Sequence, residues 1–244
     1  MENGVDFHEA EALLLASRFD ECRQLWYSSN YVFLAQMCDP EGNPFAAVYK
    51  PRRGESPLWD FPDGTLYKRE VAAYRLSQLL GWPFIPPTVV AEGPQGVGAL
   101  QIYVEHDQSS HFFEQRGVPE LVPQLQRMVV FDYVVNNADR KGGHCLLDGD
   151  GRIWGIDHGL CFHQEFKLRT VMWDWVDGEV PRPWLDEIDA ARKLLESRDE
   201  AALPLLELLS PGEQLALVAR METLLKTKTF PRPGPHRSYP WPLV

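Results

Sequence analysis

The pattern of apolar and polar positions changes character near residue 105. Before it, short alternating runs dominate. Phe19 to Leu25, Tyr31 to Met37 and Phe45 to Lys50 read as strands, separated by turn-forming stretches at Tyr27-Ser28-Ser29-Asn30 and Asp39-Pro40-Glu41-Gly42-Asn43. Three such strands in succession predict an antiparallel meander, with a short helix over 8–17 ahead of it. A loop rich in Gly, Pro and Asp follows over 52–66. A helix then runs from about Tyr67 to Leu80, with Val71, Tyr74 and Leu79 or Leu80 near helical spacing and Gly81 to stop it. Thr88 to Ala91 and Ala99 to Val104 add two strands. After Asp107-Gln108-Ser109-Ser110 the period becomes helical. Residues 119–137 place Leu121, Leu125, Met128 or Val129, Asp132 and Val135 on roughly one face. A hairpin is predicted from His144 to Leu147 and Ile153 to Ile156 around Asp148-Gly149-Asp150-Gly151, then helices near 184–197 and 211–226 and a proline-rich tail. The pattern predicts an α+β chain: a β-rich first part (1–104) and a mainly helical second part (105–244).

Composition narrows the classes. The chain has 244 residues with 44% apolar content, which excludes disordered, collagen-like and coiled-coil chains. The net charge of −11 argues against a nucleic-acid partner or a partner of anionic lipid, since both reward a basic field. No segment has the ~20 apolar residues that cross a bilayer, and the acidic N-terminus is unlike a signal peptide. Cys22, Cys38, Cys145 and Cys161 are isolated, without zinc spacing, and read as reduced thiols of a cytoplasmic protein. Neither a Walker-type phosphate loop nor a G-x-S-x-G elbow is present.

Four polar residues stand in an informative order. Lys50 ends a strand, Glu70 lies in the first main helix, Asp139 follows a long helix, and Asp157 follows a hairpin strand. His144 stands five residues after Asp139, and Asp157 stands 13 after His144. Nucleotide phosphoryl transfer needs such a set: a lysine to neutralise phosphate, a glutamate to hold it, a carboxylate to orient the acceptor hydroxyl, and a further carboxylate for the divalent ion. Each residue alone has an ordinary reading. Lys50 is then a strand-end lysine, Glu70 a solvated helix residue, Asp139-Arg140 a surface ion pair, Asp157-His158-Gly159 a turn and His144 a loop histidine. Asp148-Gly149-Asp150-Gly151 lacks a calcium-loop frame and reads as a hairpin turn. Asp132, on an apolar face, requires partners and reads as a support for the catalytic loop.

Phe131-Asp132-Tyr133-Val134-Val135-Asn136-Asn137-Ala138-Asp139-Arg140, followed by Trp154-Gly155-Ile156-Asp157-His158-Gly159-Leu160-Cys161-Phe162, resembles the catalytic and metal-binding loops of the phosphatidylinositol 3- and 4-kinase-like superfamily. Val48-Tyr49-Lys50-Pro51, Arg69-Glu70-Val71-Ala72-Ala73-Tyr74 with Leu80-Gly81, and Ile85-Pro86-Pro87-Thr88 extend the resemblance over about residues 26–165. It is similar to the type II phosphatidylinositol 4-kinases and a bacterial branch of that family, and more distantly to the HipA-type protein kinases. The resemblance implies a two-lobed, protein-kinase-like fold enclosing ATP. It implies that Lys50 meets the phosphates and pairs with Glu70, that Ser28, Ser29 and Asn30 form the turn over the phosphates, and that Gln101 to Glu105, Tyr103 included, form the hinge that holds adenine. Asp139 would be the catalytic carboxylate, and His144 with Asp157 would bind Mg or Mn.

Two departures shape the expected function. His144 stands where the family has Asn, and imidazole prefers softer ions than magnesium, which brings manganese into play. The family's palmitoylated cysteine cluster is missing. With the acidic charge, this favours a protein or small-molecule phosphoryl acceptor over a lipid. The alternatives are a nucleotide-binding pseudokinase acting as a switch or scaffold, a phosphoinositide kinase, and nucleotidyl transfer. The aromatic loop Pro57-Leu58-Trp59-Asp60-Phe61-Pro62 caps the sheet or serves as a lid or acceptor-binding element.

Overall fold

The computed structural model describes residues 7–25, 30–234 and 237–244. The first part is a five-stranded antiparallel sheet of β1 (Arg18–Leu25), β2 (Val32–Cys38), β3 (Pro44–Pro51), β4 (Thr88–Gly93) and β5 (Gly96–Ile102). The spatial order is β1-β2-β3-β5-β4, so the predicted meander is followed by a hairpin that docks through its second strand. Lys50 pairs with Ala99 and Pro51 with Gly98. A Cβ on Gly98 would lie 2.5 Å from the Lys50 carbonyl oxygen, so this close approach requires glycine.

Strand alternation sorts the two faces. Ala35, Met37, Ala47, Tyr49, Val89 and Leu100 form one apolar cluster, together with Leu14 of α1 (Phe7–Ala16). Ala99 points the other way, onto Tyr67 and Val71 of α2 (Leu66–Leu79). Lys50, directly opposite Ala99, shares that face and is therefore aimed at α2. Glu55 accepts hydrogen bonds from the Leu66 and Tyr67 amides and caps the start of α2.

The second part is mainly helical. It contains the short α3 (Phe112–Gln115), α4 (Val122–Val135), the hairpin β6 (Cys145–Leu147) and β7 (Ile153–Gly155), α5 (Arg182–Ser197), the short α6 (Leu203–Leu206) and α7 (Pro211–Thr227). Its core joins Leu125, Met128, Val130, Phe131 and Val134 of α4 to Leu185 and Ile188 of α5 and to Leu217 and Met221 of α7. The same core takes in Ala72, Tyr74 and Leu76 of α2, which packs the two parts together. Ser210 and Glu213 form a capping box at the start of α7. Glu213 also pairs with the buried Arg69, so the cap of α7 is tied to α2. The arrangement is an α+β, kinase-like fold with a sheet-based N-terminal lobe and a helical C-terminal lobe.

Candidate active site

Local geometry delivers four of the sequence-selected side chains to one place. Lys50 Nζ lies 2.5 Å from Glu70 Oε1 and 3.1 Å from Asp157 Oδ1. Asp157 Oδ2 lies 3.3 Å from His144 Nε2. Glu70 Oε2 accepts the His158 amide at 2.9 Å, so one glutamate fixes both the lysine and the segment that carries Asp157. Asp157 has φ 62°, a left-handed conformation that Asp tolerates better than most residues. Its side chain is 47% exposed, so one face of the carboxylate is open to a ligand.

Burial works against the charged form of Lys50, but Asp157 and Glu70 outweigh it and hold the ammonium well above its ordinary pKa. Lys50, opposed by burial, holds the Asp157 carboxyl below the usual range. Burial pushes Glu70 up, against the pull of Lys50. His144 is pushed down to about 3, first by burial and then by Arg140, Lys141 and Lys50. A neutral imidazole beside an ionised carboxylate is a donor pair suited to a divalent ion. Among the described residues no group of three or more His, Cys, Asp or Glu is placed to hold a metal. The donor set therefore fits an ion that completes its shell from elsewhere, as a phosphate-bridging ion does.

Asp139 sits at the other side of this loop. Its amide donates to Asn137 Oδ1 at 3.0 Å, and Lys141 Nζ lies 2.6 Å from its Oδ2. Burial raises the Asp139 carboxyl, Lys141 and Arg169 pull it down, and Asp157 pushes it up. Lys141 was not among the sequence-selected residues. The readable signal was its position two residues after Asp139, on the same short loop.

Beneath the loop lies Arg140, fully buried. Its Nε and Nη2 donate to Asp132 at 2.8 and 2.9 Å, and its Nη1 donates to the carbonyls of Ile156 at 2.9 Å and His144 at 3.3 Å. Nη2 lies 2.7 Å from His158 Nε2, which must accept because a guanidinium only donates. Asn137 Nδ2 also donates to Asp132 at 3.0 Å. The support expected of Asp132 is thus present. The surface ion-pair reading of Asp139-Arg140 is corrected, because Arg140 turns inward to Asp132 and Asp139 pairs with Lys141 instead.

The remaining selected residues are distributed as follows. Ser28 and Ser29 lie outside the described residues. Asn30 Oδ1 accepts the Ser56 amide at 2.8 Å, linking that turn to the 52–66 loop. Gln101 is embedded between Val48 and Thr88, and its side chain donates to Thr88 Oγ1 at 2.8 Å. The Tyr103 amide donates to Ala46 at 3.2 Å. These two positions thus serve the sheet, and Val104 and Glu105 lie just beyond it. The 52–66 loop reaches the other lobe: Phe61 packs edge-on to His163, and Lys167 lies 3.1 Å from Asp60. Trp59, 92% exposed, stands at its tip. A pocket of about 480 Å³ lies between this loop and Gln95 to Val97. The chain's final residues also reach the site, since the Gly142 amide donates to the Leu243 carbonyl at 2.8 Å.

A lysine clamped between a helix glutamate and a loop aspartate, under an antiparallel sheet and over a helical lobe, defines a kinase-like protein. Comparison with known proteins agrees. A sequence model of the family "Phosphatidylinositol 3- and 4-kinase" matches residues 85–190. The chain is 40% identical to Protein Rv2133c of Mycobacterium tuberculosis, over 80% of this chain and 81% of that one. It is 28% identical to phosphatidylinositol 4-kinase gamma 4 of Oryza sativa and 27% identical to the Arabidopsis thaliana protein of that name, spanning 40% and 42% of their lengths. Among solved structures, hydra Fam20 with sugar aligns with a TM-score of 0.56 at 14% identity, covering 93% of this chain and 89% of that one. The Helicobacter pylori proinflammatory kinase CtkA aligns at 0.51 and 10% identity, covering 89% of this chain and 94% of that one. These two likenesses concern the fold. The chain belongs to the same family as the mycobacterial protein, and its residues 85–190 match the phosphatidylinositol 3- and 4-kinase pattern.

Proposed function

We propose that the chain is an ATP- and divalent-metal-dependent phosphotransferase that moves the terminal phosphoryl group to a hydroxyl. The observation that carries the reading is the continuous contact from Glu70 through Lys50 and Asp157 to His144. Residues 1–104 would hold the nucleotide phosphates, and residues 105–244 would supply the catalytic and metal-binding loops. In this reading Lys50 stabilises phosphate charge and Glu70 positions it. Asp139 orients the acceptor hydroxyl and takes its proton, with Lys141 holding the carboxylate in place. Asp157 and His144 would hold the divalent ion, Mg or Mn, whose contribution is to neutralise charge on the phosphates. The backbone of Val104 and Glu105 is the candidate adenine contact.

The relatives' names point to a lipid head group, but the net charge of −11 opposes approach to an anionic membrane. A protein or small-molecule acceptor is the favoured class. The test is release of ADP from ATP with magnesium and with manganese, using ATP labelled at the α- or γ-phosphate and offering protein, sugar and phosphatidylinositol-vesicle acceptors. Losing Asp139 or Asp157 should lower turnover by about 10²–10⁴. Wild-type turnover in Asp157→Ala refutes the assignment. A second reading, a nucleotide-binding pseudokinase, draws on the histidine at position 144. Nucleotide binding without turnover under either metal supports it.

A further inference from the structure

A second cavity, of about 300 Å³, is lined by Trp82, Pro83, Phe84, Pro123, Gln124, Arg127, Arg152 and Trp184. None of these residues belongs to the Lys50–Glu70–Asp157–His144 cluster. Its walls come from the connector after α2, the start of α4, the β6–β7 hairpin and the start of α5. It is cationic and aromatic in a chain of net charge −11, and no carboxylate lines it.

The arginines lie over indole rings. The Arg127 guanidinium lies 5.6 Å from the Trp82 ring centroid and 4.9 Å from that of Trp184. The Arg152 guanidinium lies 3.8 Å above Trp154. Stacking occupies the faces of a guanidinium and leaves its N–H edge for an acceptor. Neither arginine has an ion-pair partner among the described residues, and the buried Arg127 Nε has no acceptor there. The nearest acid to Arg152, Asp148, accepts the Asp150 and Arg152 amides and the Trp154 indole N–H. The Trp82 indole N–H is taken by Glu187 at 2.6 Å. A buried donor without an acceptor is costly, and an anion at the accessible edge of the same guanidinium would offset part of that cost through its charge. Aromatic and proline walls suit a flat apolar body next to the charge.

We propose that this cavity is a binding site, separate from the nucleotide cleft, for a small anion carrying a flat apolar group: a phosphate or carboxylate joined to an aromatic ring. The anion accepts hydrogen bonds from Arg127 and Arg152 while the ring packs on Trp82, Phe84 and Trp184. Both guanidiniums are preorganised by their indoles, so little side-chain freedom is lost on binding.

Calorimetric titration of the full chain tests this, with phenyl phosphate and benzoate as probes, inorganic phosphate as charge without ring and benzyl alcohol as ring without charge. Saturable binding of phenyl phosphate or benzoate, tighter than either half-probe, is expected, and the tighter of the two identifies the anion. The binding should persist in Lys50→Ala, which separates this site from the nucleotide cleft. It should weaken about tenfold or more in Arg152→Gln and in Arg127→Gln, with melting by circular dichroism reporting the fold of each. Arg152 lies over Phe7 as well as Trp154, but all its nitrogens are reached by solvent or a partner, whereas Arg127 Nε is buried without one, so the Arg152 variant is the gentler of the two. Absence of saturable binding by the unmodified chain below about 10 mM overturns the proposal. So does unchanged affinity in folded Arg152→Gln, or loss of the binding in Lys50→Ala. Under the first two outcomes the arginines would serve only to brace the tryptophans, and under the third the probe would be bound at the Lys50 cluster instead.

Discussion

Replacing Arg140 by Met tests the claim that the segment carrying Asp139 and His144 is held from below by a buried charge pair. Arg140 and Asp132 are both fully buried, joined by two hydrogen bonds of 2.8 and 2.9 Å. Truncating one partner leaves the Asp132 carboxylate uncompensated, with only Asn137 to satisfy it, and releases the Ile156 and His144 carbonyls. Breaking a buried pair in this way costs about 3–5 kcal/mol. At a urea dependence of about 3 kcal/mol per molar, the denaturation midpoint falls by roughly 1–1.7 M. Asp132→Leu should cost a comparable amount by stranding the guanidinium. The double variant Asp132→Leu/Arg140→Met removes both charges, so its loss should fall well short of the sum of the two single losses. Urea melts of the three variants, followed by circular dichroism, measure this. A loss under about 1 kcal/mol for Arg140→Met, or strict additivity in the double variant, refutes the reasoning.

Three other expectations follow from the site. Burial lifts Asp139 above its ordinary 3.8 and Lys141 pulls it down, so Lys141→Ala should move the acid limb of the pH–turnover profile to higher pH, read by ADP release across pH 4–8. Burial holds both His144 and His158 below the ordinary histidine pKa of about 6.5. Their unfolded forms bind protons that the native state does not, so the stability they confer is full above pH 6.5 and is lost as pH falls below it. Unfolding at pH 5.5 should take up about 1.8 protons on this pair, a slope of about 2.5 kcal/mol per pH unit, and His144→Asn should remove about half of it. Exchanging the imidazole for an amide oxygen should also shift metal preference from manganese toward magnesium, read from the ratio of turnover with the two ions in His144→Asn.

Much of the site was legible because its members stand at the ends of strongly patterned elements. Lys50 ends an alternating strand, Asp157 follows a hairpin strand, and the spacing from Asp139 to His144 is local. Strand register then did the rest, since pairing Lys50 with Ala99 commits its side chain to the face where α2 lies. Periodicity also marked Asp132 as an anomaly on an apolar face, and the anomaly proved to be an anchor for Arg140. What stayed hidden depends on contacts that no local pattern encodes. Arg69 bonds to Glu213, 144 residues away. The Leu243 carbonyl meets the Gly142 amide beside the loop that carries Asp139. Gln101 was legible as a strand residue, but its use inside the sheet was decided by Thr88, which arrives through a different strand. Arg140 was ambiguous for the same reason: the sequence shows a charge at a helix end, and only packing shows which carboxylate it turns to.

The charges of the cleft are already matched before any nucleotide arrives. Lys50 is shared by Glu70 and Asp157, and Lys141 is taken by Asp139. A phosphate drawn to Lys50 must compete with Asp157 for it, and Asp157 then loses its main counter-charge. Bare fixed charges therefore give a polyanion little net attraction here. Asp157 and His144 would hold a divalent ion that restores positive charge beside Asp157 and so would reverse the balance. Glu70, with its side chain only 4% exposed, holds Lys50 from the buried side, which would let the lysine change partners without changing place. Burial holds His144 toward its neutral form, which would leave a ring nitrogen beside Asp157 for such an ion.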